Sequence, residues 1–452
     1  MEEIRIVAVN GMLGYGYEAA SLAAGLAERP HLVGVDAGSS DPGPYYLGTG
    51  TSLVKEAQIR RDLRMALAGA RRAGAPLVIG SAGMGGGAPH LALVRRVLHG
   101  IAREEGLRVR LATIHAEIGK AVVLDALRAG RVSPMPDAPP LTDDAVTESA
   151  RIVGQMGTEP IAAALAKGAD VVLAGRACDT AIYAASPIAE GFDPGLALHM
   201  AKIMECGAQC GIPLAANDSL LGMLRADHFL VRPLHPERVC TPDSVAAHTM
   251  YEQGDPLVLY EPEGRVDLRE AVFEQVDRKT VRVSGSRFVP AERLRIKLEG
   301  ARRAGFRSFA LAGIRDRAVI ENLPLIEEEV RGAVRRNLGG EVAEGSFALA
   351  FRHYGRDAVL GPLEPEKAPP REVGALIEVV ADTQEAAGHV LSLARSSFLH
   401  CPFPGRKTTA GNLAFPFSPS DVSGGEVYEF SLYHLMEVED QLALFPIEME
   451  EV

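Results

Sequence analysis

Tryptophan is absent from this chain, and aromatic residues make up only 5% of it. Stacking platforms for single-stranded nucleic acid need aromatics, so that class is disfavoured. Excess positive charge is missing too: the formal net charge is −12 at pH 7. No nucleic-acid or anionic-membrane partner is therefore expected, whereas a small anionic substrate remains open, because a local basic pocket can outweigh the global field. There is no apolar run of membrane-spanning length, so no transmembrane helix is expected. The opening MEEIRIVAVNG enters a strand at once and lacks the basic and apolar regions of a secretory signal. Cysteine is scarce: Cys178, Cys206, Cys210, Cys240 and Cys401 form no CxxC pair. Reduced thiols in a cytoplasm are the expectation.

What is present is a globular composition, 47% apolar and 23% charged over 452 residues, enough for two or three domains. Glycines number 47, and several fall where an apolar run ends. Ile4 to Val9, His31 to Val35, Pro76 to Ile79, Val109 to Ile114 and Val171 to Ala174 read as buried strands, each followed by a loop and a helix. The expected fold is α/β: an N-terminal domain, residues 1–215, with a mostly parallel sheet flanked by helices. From about 211 the texture becomes short, β-like and broken by Pro, Asp and Gly, then strand and helix alternate. This predicts a smaller α+β domain over 216–452.

Ligands of parallel sheets bind at the carboxyl ends of strands. The loops near 10, 36, 80, 115 and 176 are therefore expected to open toward one crevice. Asn10, Gly11 and Gly14 follow the first strand and Asp36 ends the second. Ser81, Gly83, Gly85 and Gly86 lie in a glycine-rich turn before a helix, suited to cradling an anion or to close backbone packing. Glu117 and Lys120, three apart, read as a surface ion pair or as a base beside an ammonium group. The densest cluster is GRACDT, where Arg176, Cys178, Asp179 and Thr180 follow the fifth strand. Asp179 or Thr180 is expected to cap the next helix. Glu205 sits in MECGAQC. There Cys206 and Cys210 are spaced i, i+4, but no further ligands are evident and no metal is expected. Late in the chain, Arg406, Lys407, Thr408, Thr409 and Asn412 bring cations, hydroxyls and an amide together, as a phosphate or carboxylate subsite requires. A solvated basic turn is the alternative.

The segments NGMLGYGYE, GQMGTEPIAAALAKGADVVLAGRACDTAIYA and MECGAQCG resemble the acyclic terpene utilisation AtuA family (DUF1446). The blocks that carry the likeness are Gly168 to Asp179 and Glu205 to Gln209. It extends through LRIKLEGARRAGFRSFALAGIRD and GRKTTAGNLAFPFSPSDV. Cys178 and the loop DAGSSDPGPYY depart from the family's usual pattern. The resemblance implies a setting in the catabolism of branched acids and acyl-CoA thioesters, and self-association.

Two functions follow. One is an enzyme acting on a small carboxylate or CoA thioester by proton transfer with gain or loss of water, a hydratase or dehydratase, with an isomerase close behind. Glu117, Asp179 or Glu205 would move the proton, and Arg176 or Lys120 would stabilise the developing charge. No cofactor is required by this chemistry. Hydrolysis through Cys178 would need a base, with His115 and His199 as candidates. The other is a non-catalytic ligand-binding or partner subunit of an acyl-CoA-processing complex.

Overall fold

The structure is a computed structural model that describes residues 2–214, 217–340, 342–343, 345–366 and 368–452. It forms two compact units, Met1–Arg302 with Phe430–Val452, and Arg303–Glu429. This division differs from a split into 1–215 and 216–452, whose boundary falls on residues 215 and 216, outside the described residues. The chain leaves the first unit within the strand Arg295–Ile314 and returns within the strand Asp421–Glu437.

In the first unit, five parallel strands form the centre of a ten-stranded sheet. They are β1 (Ile4–Ala8), β2 (Leu32–Asp36), β3 (Leu77–Gly80), β4 (Arg110–Ile114) and β5 (Val171–Ala174), in spatial order β1-β2-β3-β5-β4. Antiparallel strands extend both sides. Leu220–Leu224 pairs with β1, and Ile447–Glu451 pairs with β4. The sheet is thus mixed around a parallel core. The five parallel strands end on one edge.

Alternation along the strands splits the core in two. Val7, Val33, Ile79, Val171 and Leu173 pack toward the helices Glu56–Ala73 and Ala88–Glu105. Ile6, Leu32, Val78, Val172 and Ala174 face the other side. There they meet α1 (Asp179–Ala189) and α2 (Pro194–Met204). All four residues of β5 are buried, which accounts for its uncharged sequence. Two glycines set how closely α1 approaches. A Cβ on Gly34 would lie 2.5 Å from the Tyr183 ring, and one on Gly80 would lie 2.3 Å from Ile182 Cδ1. The missing side chains let α1 lie on the strands and fix Asp179 at the sheet edge.

In the second unit, residues 306–314 pair with the strand Val373–Ala381, which pairs with Phe347–Tyr354, all antiparallel. The helices Leu323–Asn337 and Gln384–His400 share a core with these strands. This is the α+β pattern read from the sequence. Among the described residues, no helix is long and apolar enough to cross a membrane.

Tyr183 is fully buried and its hydroxyl has no hydrogen-bond partner among the described residues. An unmet buried donor costs ~1–3 kcal/mol. Tyr183→Phe should therefore leave thermal stability unchanged or raise it, as read by calorimetry. A clear fall in melting temperature would show that the hydroxyl has a partner.

Candidate functional site

Arg176 is the first side chain to leave the edge after β5, and it does not reach solvent. Its side chain is 3% exposed. Nε donates to Glu299 Oε2 at 2.9 Å, and Nη1 donates to Ser81 Oγ at 3.0 Å and to the Ala177 carbonyl at 2.9 Å. Asp179 Oδ1 is 3.5 Å from Nη1. Glu299 is also met by Lys297 Nζ at 2.8 Å. Burial alone would raise the Glu299 carboxyl, but the charges of Arg176 and Lys297 and their hydrogen bonds pull it down to about 2. The three groups stay ionised together.

Above this network lies a cleft of about 1120 Å³, lined wholly by residues of the first unit. Its reactive groups are Cys178, Asp179, Lys202, Glu205, Glu261 and Lys297. Cys178 occupies the N-cap position of α1 and Asp179 is its first residue, so neither Asp179 nor Thr180 is the cap as expected. Thr180 Oγ1 lies 2.8 and 2.9 Å from the two oxygens of Glu261, donating to that carboxylate. Lys202 and Glu205 are paired at the end of α2.

The carboxylates here are pushed the opposite way from Glu299. Burial, then the charge of neighbouring Glu263, lifts Glu261 to about 8 against the hydrogen bond from Thr180. Burial raises Glu205 as well, to about 8; Lys202 opposes this and the charge of Asp179 adds to it. Burial raises Asp179 despite Arg176 and Lys202. The same cause lifts the Cys178 thiol well above its usual value, with Glu261 and Glu263 adding to it, so it is held as the neutral thiol. Neither candidate histidine lines the cleft. His199 is buried between Ser286 Oγ and Thr249 Oγ1, at 2.7 and 3.0 Å, and burial lowers it to about 3. His115 lies 3.3 Å from Glu448.

The remaining expected residues are not brought to the cleft. Among the described residues of the five strand-end loops, those after β2 and β5 supply the lining, Asp41 from one and Arg176, Cys178, Asp179 and Thr180 from the other. In the loop after β1, the backbone N–H groups of Gly14 and Gly16 donate to Asp62 Oδ2 at 2.8 and 2.9 Å. The anion this loop holds is the protein's own. Asn10 donates to the Met12 carbonyl, and Gly11 packs on the Cys206 backbone. Asp36 is buried, and burial with the Asp179 charge raises its carboxyl well above the usual range.

The turn carrying Ser81, Gly83, Gly85 and Gly86 is closely packed backbone. A Cβ on Gly86 would lie 2.1 Å from Arg176 N, and Gly83 and Gly85 abut His90. Ser81 adopts a left-handed φ of 47° and holds Arg176. Glu117 and Lys120 do not face each other, because the helix Lys120–Arg128 begins after Glu117. Glu117 accepts from Arg151 Nε at 2.5 Å and Ala88 N at 2.8 Å, while Lys120 donates to the Thr147 carbonyl. Glu205 caps α2, and Gly207–Cys210 is a 3-10 turn. Cys210 Sγ lies 3.6 Å from Cys240 Sγ. Among the described residues no group of three or more His, Cys, Asp or Glu is placed to hold a metal. In the second unit, Asn412 is buried and donates to the Phe398 and Cys401 carbonyls, and Arg406 donates to Asn412 Oδ1 at 3.1 Å. Lys407, Thr408 and Thr409 are exposed.

Sequence reasoning missed Glu261, Lys202, Lys297 and Glu299. The signal for the last two was present in RIKLEG, where charged residues alternate with Ile296 and Leu298 along a strand.

The family model for the acyclic terpene utilisation family protein AtuA matches residues 55–216 and 229–416, and the chain belongs to that family. No curated protein and no solved structure matches it.

Removing one partner of a buried ion pair costs ~3–5 kcal/mol. Arg176→Ala should therefore lower the melting temperature sharply, and an unchanged melting temperature would show that the pair contributes nothing. Glu205 and Glu261 hold protons in the fold that the unfolded chain releases near pH 4.5. The native state binds more protons between about pH 4.5 and 8, so stability falls as pH rises through that window. Glu261→Gln should flatten this fall in melting temperature. An unaltered slope in the variant would contradict the raised carboxyl.

Proposed function

We propose that this protein is an enzyme of carboxylic-acid or acyl-CoA catabolism, a hydratase or dehydratase that moves a proton beside a carboxylate or thioester through its own side chains. Support comes from one cleft that sets Glu261 and Glu205 beside Lys202 and Lys297. Carboxyls lifted to about 8 exchange protons readily near neutral pH, while the ionised Arg176–Glu299–Lys297 group keeps its charge.

In the hydration direction, ionised Glu261 takes a proton from water as the oxygen bonds to the β-carbon of a conjugated double bond. The displaced electron pair moves to the α-carbon and its carbonyl oxygen, which Lys297 faces as the stabilising cation. Protonated Glu205 delivers its proton to the α-carbon. Proton return from Glu261 to Glu205 restores the starting state, and dehydration is the reverse. Thr180 orients Glu261, Lys202 orients Glu205, and Asp179 tunes both through its charge. Arg176 acts by holding Glu299 and through it Lys297, a positioning role in place of the direct one expected. Cys178, as a neutral thiol, shapes the wall.

The test is exchange at carbon in deuterated water, followed by mass spectrometry, over α,β-unsaturated and β-hydroxy acids supplied free and as CoA thioesters. At least one should incorporate deuterium. Glu261→Gln should lower that rate about 10²-fold or more, with the melting temperature equal or higher. Absence of exchange with every compound would contradict the proposal and favour a ligand-binding subunit.

A further inference from the structure

The cleft is larger than proton transfer on a small acid requires. Small-molecule sites measure roughly 300–1,000 Å³, and this one reaches about 1120 Å³. Its extra length is graded in charge and exposure. Along the strand from Arg295, Ile296 and Leu298 are buried in the core, so Arg295, Lys297 and Glu299 share the opposite side. Arg293 precedes them in the cleft wall. Side-chain exposure falls from 71% at Arg293 to 51% at Arg295 and 18% at Lys297. Alternate strand residues lie ~6.6–6.8 Å apart, so the cations mark a path from the mouth to the floor.

The mouth holds cations that the floor chemistry does not use. Arg293 and Arg295 both turn to Glu437, at 2.7 and 3.3 Å. Glu437 meets both guanidinium groups, and the charge of neighbouring Glu292 also acts on Arg293. Arg265 is exposed and makes no ion pair among the described residues. It stands on the middle strand of a three-stranded sheet, between Tyr260 and Val289. Tyr260 also lines the cleft and is 70% exposed, an unusual degree for an aromatic in a chain poor in them. Asp41, Glu252 and Glu292 are the acids of the outer cleft. They disfavour an anion beside themselves, so the side of Arg265, which no acid pairs among the described residues, is the one left open to it.

We propose that the mouth of the cleft is a subsite for a phosphate-bearing nucleotide head group, with Arg293, Arg295 and Arg265 taking the phosphates and Tyr260 stacking on the base. The substrate class is then an acyl thioester of a nucleotide carrier such as coenzyme A. Its acyl end follows the cation path to Lys297 and Glu261. The proposal rests on the proton-transfer reading only for what happens at the floor. Guanidinium groups suit phosphate oxygens through paired hydrogen bonds, and an exposed tyrosine offers a flat apolar face.

Isothermal titration of the full chain with coenzyme A, adenosine 3′,5′-bisphosphate, inorganic phosphate and a long-chain dicarboxylate tests it. Coenzyme A and the bisphosphate should bind well ahead of inorganic phosphate. Arg293→Ala with Arg295→Ala should weaken both at least tenfold, and added salt should weaken wild-type binding more than the variant's. Tyr260→Ala should narrow the gap between the bisphosphate and inorganic phosphate. These side chains are exposed, and matched melting temperatures confirm that the variants fold. The subsite is overturned if coenzyme A and the bisphosphate bind no better than phosphate. It is also overturned if the double variant binds them unchanged, or if only the dicarboxylate responds to the arginines. Deuterium exchange into free acids without affinity for coenzyme A would sink the nucleotide subsite alone. Tight binding of coenzyme A without exchange into any thioester would sink the proton-transfer reading alone.

Discussion

Arg176 and Glu299 are 123 residues apart in sequence, and both are buried where they meet. Taking a guanidinium and a carboxylate out of water is expensive, and their attraction offsets this only when the remaining hydrogen-bonding groups are satisfied. Here they are. Glu299 is met by Arg176 and Lys297, and Arg176 is also met by Ser81 and the Ala177 carbonyl. This junction ties the carboxyl end of β5 to the strand that begins at Arg295. Ser81 in a left-handed conformation and Gly86 against the Arg176 backbone are features of the same junction. Their backbone geometry serves to seat one buried cation.

A second consequence is electrostatic contrast. Glu299 is surrounded by cations and remains ionised, whereas Glu205 and Glu261 in the cleft are raised first by burial and then by neighbouring acids, Asp179 for Glu205 and Glu263 for Glu261. A site in which environments push like groups to opposite protonation states can hold charge in one place and pass protons in another. Membership of a family named for acyclic terpene utilisation accords with a catabolic role. The chemistry assigned to the cleft rests on its own side chains.

Much of the architecture was legible because its signals are local. Short apolar runs, two of them ending directly in glycine, marked the parallel strands, and Arg176, Cys178 and Asp179 stood out because β5 delivers them within a few residues. The antiparallel strands that widen the sheet gave weaker signals, as did the return of residues 430–452 to the first unit. Glu261 and Lys297 were hidden because they reach the cleft from distant segments, and only the alternation in RIKLEG hinted at an inward-facing charged strand. The glycine-rich turns misled for a physical reason. Exposed N–H groups do seek an anion, but after β1 they find the internal Asp62, and after β3 the turn is filled by backbone. Glu117 and Lys120 were read as sharing a helix face that Glu117 lies outside.

Proton transfer in the cleft depends most on carboxyl groups that hold protons near neutral pH beside fixed cations. Carbon-13 NMR of glutamate carboxyls in selectively labelled protein, titrated from pH 4 to 10, measures this directly. Two resonances should titrate near pH 8, one lost in Glu205→Gln and the other in Glu261→Gln. Titration of every glutamate in the ordinary carboxylate range would contradict it.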